Sequence, residues 1–177
     1  MSETGAYDDW FCEQEELTQG SLLHDFKLID EVGGSTADAP AVGSILSDVV
    51  VLTQTCDIPK KAQTTILVAE VRRFDDLVAL NSGFGTKESR ATLAEGIAQA
   101  HFLLPPAAQT AGAWSVVDFR ALHVVPKARI EREIGASALA VPYREHLAQS
   151  FARFMMRIGL PSTLNEFKSY KPGPGSP

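Results

Sequence analysis

Cysteine is scarce. Only Cys12 and Cys56 occur in 177 residues, too few for a disulfide framework, so both are expected to be free thiols in a reducing compartment. No stretch reaches the roughly 20 apolar residues that a membrane-spanning helix needs, and no membrane contact is predicted. Positive charge is in deficit, 16 Lys and Arg against 22 Asp and Glu for a net charge of −6. That balance argues against broad duplex nucleic-acid binding, which depends on many cations neutralising phosphates, but it is compatible with a local basic groove. The first residues lack both a basic leader and an apolar core segment, which predicts a cytoplasmic protein. The four histidines, His24, His101, His123 and His146, form no H-x-x-x-H pair, and the cysteines form no C-x-x-C pair. No metal and no other cofactor is therefore expected.

What is present is ordinary for a folded chain: 45% hydrophobic and 21% charged residues, with a length that fits one domain. Residues 1–16 read as an acidic N-terminal arm, residues 17–162 as the domain and residues 163–177 as a Pro/Gly-rich flexible tail. In the arm, Asp8, Asp9, Glu13, Glu15 and Glu16 surround Tyr7, Trp10 and Phe11. Trp10 and Phe11 are candidate binding residues, an aromatic anchor that docks on the domain or on a partner.

Gln19-Gly20-Ser21 predicts a turn that leads into strand structure over Leu22 to Ile29, followed by a loop over Gly33 to Gly43. The β-branched run Asp48 to Thr53 predicts a strand buried on both faces, with Thr64 to Val71 as its antiparallel partner. Glu88 to Phe102 has Leu93, Ile97 and Ala100 at helical spacing, with Thr86 or Ser82 as a cap. Trp114 to Val125 predicts a long strand, and Lys127 to Glu133 a short helical turn. Tyr143 to Ile158 predicts an amphipathic helix with Leu147, Phe151, Phe154, Met155 and Ile158 on one face. The class that these elements define is α+β.

This order resembles the PemK/MazF-like toxin family. The likeness is carried by Gln19-Gly20-Ser21 with its strand, by Val49 to Thr53 followed by Ile66 to Val71, and by Ser115 to Val125 leading into the last helix, and it spans Leu17 to Leu160. It implies a small SH3-like β-barrel, here with a helical insertion and a C-terminal amphipathic helix, in a family that dimerises, cleaves single-stranded RNA and is held by an antitoxin in its groove. The family carries Arg-Pro just ahead of the Val-rich strand and a Ser or Thr at the end of the partner strand. Here Ser47 and Asp48 stand at the first place and Val71 near the second. An aspartate there would repel a phosphodiester, so the resemblance implies a barrel kept for binding.

Candidate chemistry centres on Thr53-Gln54-Thr55-Cys56-Asp57, where polar and reactive groups leave a buried strand. Asp57 disfavours a Cys56 thiolate, and a tight turn tied by side chains is the simpler reading. Gln54 is a candidate binding residue. On the last helix Arg144, Arg153 and Arg157 lie off the apolar stripe; Arg153 and Arg157 are candidates for contact with phosphate or an acidic partner, against a plain solvated face.

The leading expectation is a non-catalytic or degenerate PemK/MazF-like barrel, a protein-interaction component of a bacterial defence or toxin–antitoxin type system with a protein partner or a second copy. The alternative is an endoribonuclease with a rearranged site, in which Arg72, Arg73 or Arg120 acts with Thr53 or Thr55 and Asp57 on RNA. A third reading is a cysteine-dependent enzyme centred on Cys56.

Overall fold

The computed structural model describes residues 6–31, 41–133 and 137–156. Among these, the strands are β1 Phe11–Glu13, β2 Ser21–Glu31, β3 Val42–Val51, β4 Thr65–Arg73, β5 His101–Leu104, β6 Ser115–Pro126 and β7 Ser137–Leu139. The helices are α1 Phe74–Leu80, α2 Lys87–Ala94, α3 Lys127–Ile130 and α4 Tyr143–Met155. All strand pairs are antiparallel, in the order β1-β7-β2-β3-β4-β6-β5. The architecture is α+β, as the pattern predicts. The sheet is open, with β1 and β5 at its edges, and among the described residues no ladder closes it into a barrel.

The sheet is nevertheless curled. One apolar cluster takes residues from every strand, from Phe11 on β1 and Leu139 on β7, through Leu22, Val50 and Val71, to Val117 on β6 and Phe102 on β5. Trp10, just ahead of β1, lies 6.5 Å from the Phe102 ring on β5, so the two edges approach across a seam. Helix α4 covers this face with Leu147, fully buried, and with Phe151 and Phe154 against Phe119. The opposite face carries two apolar clusters. Leu23, Phe26, Val49, Ile66 and Val68 pack with Ile58 and Ile130, while Val116 and Leu103 pack with Leu77 and Leu93 of α1 and α2.

Several elements differ from the sequence reading. The β-branched run is only the end of β3, which begins at Val42 because the long β2 offers it partners as far as Glu31. The helix expected over Glu88 to Phe102 ends at Ala94, where Gly96 takes φ +66 and donates its N–H to Leu93 O at 3.0 Å. His101–Leu104 is instead a strand, because alternate residues bury Phe102 and Leu104 against β6. Part of the acidic arm belongs to the sheet: Phe11 is buried and β1 pairs with β7. Thr86 caps α2 through Ser89 N–H at 3.2 Å. Met155 is exposed although it lies on the expected stripe, and Ile158, Arg157, residues 33–40 of the expected loop and the tail lie outside the described residues.

Gly20 enters β2 at φ +84, and a Cβ there would lie 3.2 Å from Leu139 Cβ. Both the left-handed backbone and the close approach of β7 demand glycine. Gly20→Ala should therefore lower unfolding free energy by about 1 kcal/mol or more in urea titrations; an unchanged midpoint would contradict this account of the turn.

Candidate functional site

Polar residues interrupt the apolar face between its two clusters. On β4, Ile66 and Val68 are followed at the same alternation by Glu70 and Arg72, and on β6 Asp118 stands directly opposite Glu70. His101 of β5 is opposite Asp118 in turn, so His101, Asp118 and Glu70 form a row across three strands. Glu70 is 8% exposed and Asp118 6%. Two opposed carboxylates have Cβ atoms about 5 Å apart and repel, and burying each is costly unless it is paired.

Each is paired. Arg72 donates Nε and Nη2 to Glu70 Oε2 at 3.2 and 2.9 Å, and His123 Nε2 lies 2.9 Å from Glu70 Oε1. Arg120 donates Nε to Asp118 Oδ1 at 3.1 Å and Nη2 to Oδ2 at 3.3 Å, while its backbone N–H reaches Oδ1 at 3.0 Å. Arg120 Nη2 also lies 2.9 Å from His101 Nε2. The Arg120 side chain is 57% exposed, so this cation lies at the surface above buried acids.

A bulge creates the arrangement. The β4–β6 register passes from Ala69↔Leu122 directly to Glu70↔Asp118, leaving Phe119, Arg120 and Ala121 opposite no β4 residue. Phe119 turns into the core beneath α4, and its N–H donates to Ala100 O at 2.9 Å. The extra residues put Arg120 two positions beyond Asp118, where its guanidinium folds back onto that carboxylate, while His123, opposite Val68, reaches Glu70 diagonally. Bulges re-aim side chains in this way.

The two imidazoles use Nε2 in opposite ways. Guanidinium only donates, so His101 Nε2 is a bare acceptor. Burial also pushes the His101 pKa below its ordinary value of 6.5, with Asp118 pulling it back and Arg120 adding to the depression. His123 faces a carboxylate acceptor, so its Nε2 is a donor. For Asp118, burial alone would raise the pKa, but the side-chain and backbone hydrogen bonds of Arg120 and its charge outweigh burial and hold it below 3.8.

Both depressed groups give stability that is full above their unfolded values and is lost on acidification. Unfolding free energy should therefore begin to fall as pH drops through 6.5, where unfolded His101 takes up a proton first, and fall further below 3.8 as Asp118 does. His101→Gln should flatten the first fall in urea titrations run between pH 8 and pH 5, and a variant curve parallel to the parent's would remove His101 as its source.

The sequence-predicted candidates divide. Arg72 and Arg120 fall in this cluster, whereas Arg73 is exposed and precedes α1. Thr53, Gln54, Thr55, Cys56 and Asp57 lie elsewhere: Thr53 follows β3 by two residues, whereas Glu70 is opposite Val49, roughly 13 Å back along the strand. Their groups hold a turn. Thr53 Oγ1 accepts from Leu67 N–H at 2.8 Å, and Thr55 Oγ1 meets Thr18 Oγ1 at 2.7 Å and accepts from Gln19 N–H at 3.2 Å. Gln54 O accepts from Asp57 N–H at 2.9 Å, and Asp57 pairs with Lys60. Cys56 is exposed, and its thiol lies 3.8 Å from Gln54 Oε1.

Trp10 stacks on Tyr143 with ring centroids 3.9 Å apart, and Phe11 is core. Arg144 and Arg153 hold other segments rather than forming a plain solvated face. Arg144 Nη1 donates to Thr18 Oγ1 at 3.3 Å, and Arg153 Nη2 to Gly96 O at 2.7 Å. Sequence reasoning missed Glu70 and Asp118, and it noted His101 and His123 only as histidines without metal-ligand spacing. The available signal was charge at core-facing alternation, Glu70 and Arg72 after Val68 and Asp118 after Val116. Among the described residues no cluster of His, Cys, Asp and Glu has the arrangement of a metal site.

Compared with protein-family models, with curated proteins and with solved structures, the chain has no match.

Proposed function

We propose that this chain is an endoribonuclease acting on single-stranded RNA, with its acid–base centre at the Glu70/Asp118 row. The observation that carries the reading is the opposed pair of buried carboxylates, each holding an arginine, Arg120 exposed and Arg72 half-buried, and each approached by a histidine. Such a set supplies cations for a phosphate and two imidazoles for proton transfer. The substrate class comes from the resemblance to PemK/MazF-like toxins, under which the curled sheet is an SH3-like barrel opened along one seam, in a toxin–antitoxin or defence setting. The role that the family gives to its Arg-Pro arginine passes to Arg120 and Arg72.

In this reading the scissile phosphate draws Arg120 off His101, and the freed Nε2 takes the proton of the neighbouring 2′-hydroxyl. The 2′-oxygen bonds to phosphorus and the P–O5′ bond breaks. His123 enters this step doubly protonated: Nε2–H stays on Glu70, which orients the ring much as a carboxylate orients histidine in a triad, and Nδ1 gives its proton to the departing 5′-oxygen. The products are a 2′,3′-cyclic phosphate and a 5′-hydroxyl. Incubating the purified chain with end-labelled single-stranded RNAs should yield these ends, and 2′-O-methyl RNA should survive. Intact RNA across a panel of sequences would reject the reading.

The interaction reading keeps one observation in its favour. Ile29, Val42 and Leu46 are exposed together on one face of the β2–β3 ribbon, because Ile29 is opposite Ser44 and the other two flank it diagonally. A second copy of the chain could cover this face. Leu46→Lys would then shift a dimer to monomer in sedimentation, and a parent that sediments as monomer at all concentrations removes this reading.

A further inference from the structure

The seam between β1 and β5 contains a cavity of about 720 Å³, lined among others by Tyr7, Trp10, Phe102, Trp114, His146 and Arg153. Its size lies within the range of small-molecule sites, about 300–1,000 Å³. The wall has two chemistries. On the sheet side it is aromatic. Trp114 is 43% exposed although the Tyr7 ring meets it edge-on at 5.6 Å, so an indole face is held in place and left partly uncovered. Trp10, by contrast, has one face stacked on Tyr143 and contributes the remainder of its ring to the wall.

On the α4 side the wall is polar. Arg153 Nη2 donates to Gly96 O at 2.7 Å and to Ser150 Oγ at 3.1 Å. These bonds fix the guanidinium at the cavity, and among the described residues no carboxylate pairs with it. An arginine held by neutral acceptors can meet an anion without leaving a carboxylate, whereas Arg72 and Arg120 must first leave theirs; Glu95, which also lines the cavity, makes no ion pair with Arg153. His146 and Gln149 extend the same wall.

A planar ring that stacks on indole, joined to an anion that meets guanidinium, matches both walls at once. We propose that the seam cavity is a nucleotide site, with the base against Trp114 and the phosphate on Arg153. The shared chemistry is a nucleoside monophosphate unit, whether free or within single-stranded RNA. This site is separate from the Glu70/Asp118 row and does not rest on the cleavage reading.

The chain has two tryptophans, and both line this cavity, so tryptophan fluorescence excited at the red edge reports on it directly. The full chain is titrated with AMP, with adenosine and with a 2′-O-methyl adenosine nonamer that resists cleavage. AMP is expected to quench saturably, with adenosine about tenfold weaker or more. Arg153→Gln should weaken AMP by a similar factor, and Arg153→Lys should retain most of the binding. A nonamer that binds about tenfold or more tighter than AMP assigns the site to an RNA chain, and equal affinity assigns it to the free nucleotide. No saturable change with any of the three up to about 1 mM, or adenosine equal to AMP with Arg153→Gln unaffected, overturns the proposal. Calorimetry on Trp114→Leu adds a readout independent of that fluorophore, and AMP affinity unchanged there also overturns it.

Discussion

Under the proposed ribonuclease reading, Arg120→Ala should slow RNA cleavage by about 10²- to 10³-fold, the usual cost of removing one donor aimed at developing charge. In the resting molecule this guanidinium is divided between Asp118 and His101 Nε2. In the proposed mechanism it moves onto a phosphate, stabilising charge and uncovering the base, so its loss should act mainly on kcat with a smaller change in KM. Added guanidinium should restore part of the rate, which a purely structural role would not allow. The substitution also takes from buried Asp118 its side-chain partner while leaving the Arg120 backbone N–H in place, at an expected cost of about 1–3 kcal/mol. Rates should therefore be compared at a temperature where circular dichroism shows both proteins folded. A folded Arg120→Ala protein that cleaves at the parental rate would remove Arg120 from the chemistry.

Phe119→Ala should be the most damaging core change near the site, lowering unfolding free energy by about 3–5 kcal/mol. Phe119 is fully buried within the β6 bulge, with its ring 5.4 Å from Phe151 and 5.9 Å from Phe154. The same side chain anchors α4 and pins the bulge that presents Arg120. Stability and activity should therefore fall together, while Phe119→Leu, which keeps most of the volume, should cost well under half as much. Urea titrations of the two variants decide this, and an alanine variant within 1 kcal/mol of the parent would show that the core closes over the gap and that the bulge is held by other contacts.

The sequence exposes the parts of this fold that repeat a simple pattern. Val49 to Val51 and Ile66 to Val71 form the central pair because β-branched runs have few alternatives, and Leu147 with Phe151 and Phe154 marks the buried face of α4. Where two patterns overlap, the reading fails. His101–Leu104 continues a helical spacing from α2, and only the left-handed Gly96 and pairing with β6 make it a strand. The candidate site was half legible for a similar reason. Arg72 and Arg120 stand out as cations, but Glu70 and Asp118 become partners only through a register that skips Phe119, Arg120 and Ala121. No local spacing encodes that skip. The polar segment at Thr53 to Asp57 drew attention as unusual text, and its threonines hold neighbouring backbone and Thr18.

The Glu70 and Asp118 pairing also acts on folding itself. If β4 slid past β6 by one residue, every side chain on it would change faces, and Glu70 and Arg72 would enter the apolar interior beneath α4 while Ala69 and Val71 emerged. Apolar strands slip cheaply because one valine packs much like the next, but charged side chains tolerate only the face that lets them reach the surface. Each arginine pair lies within a single strand and would survive a slip; what discriminates against the mispaired sheet is the burial of charge in an apolar interior.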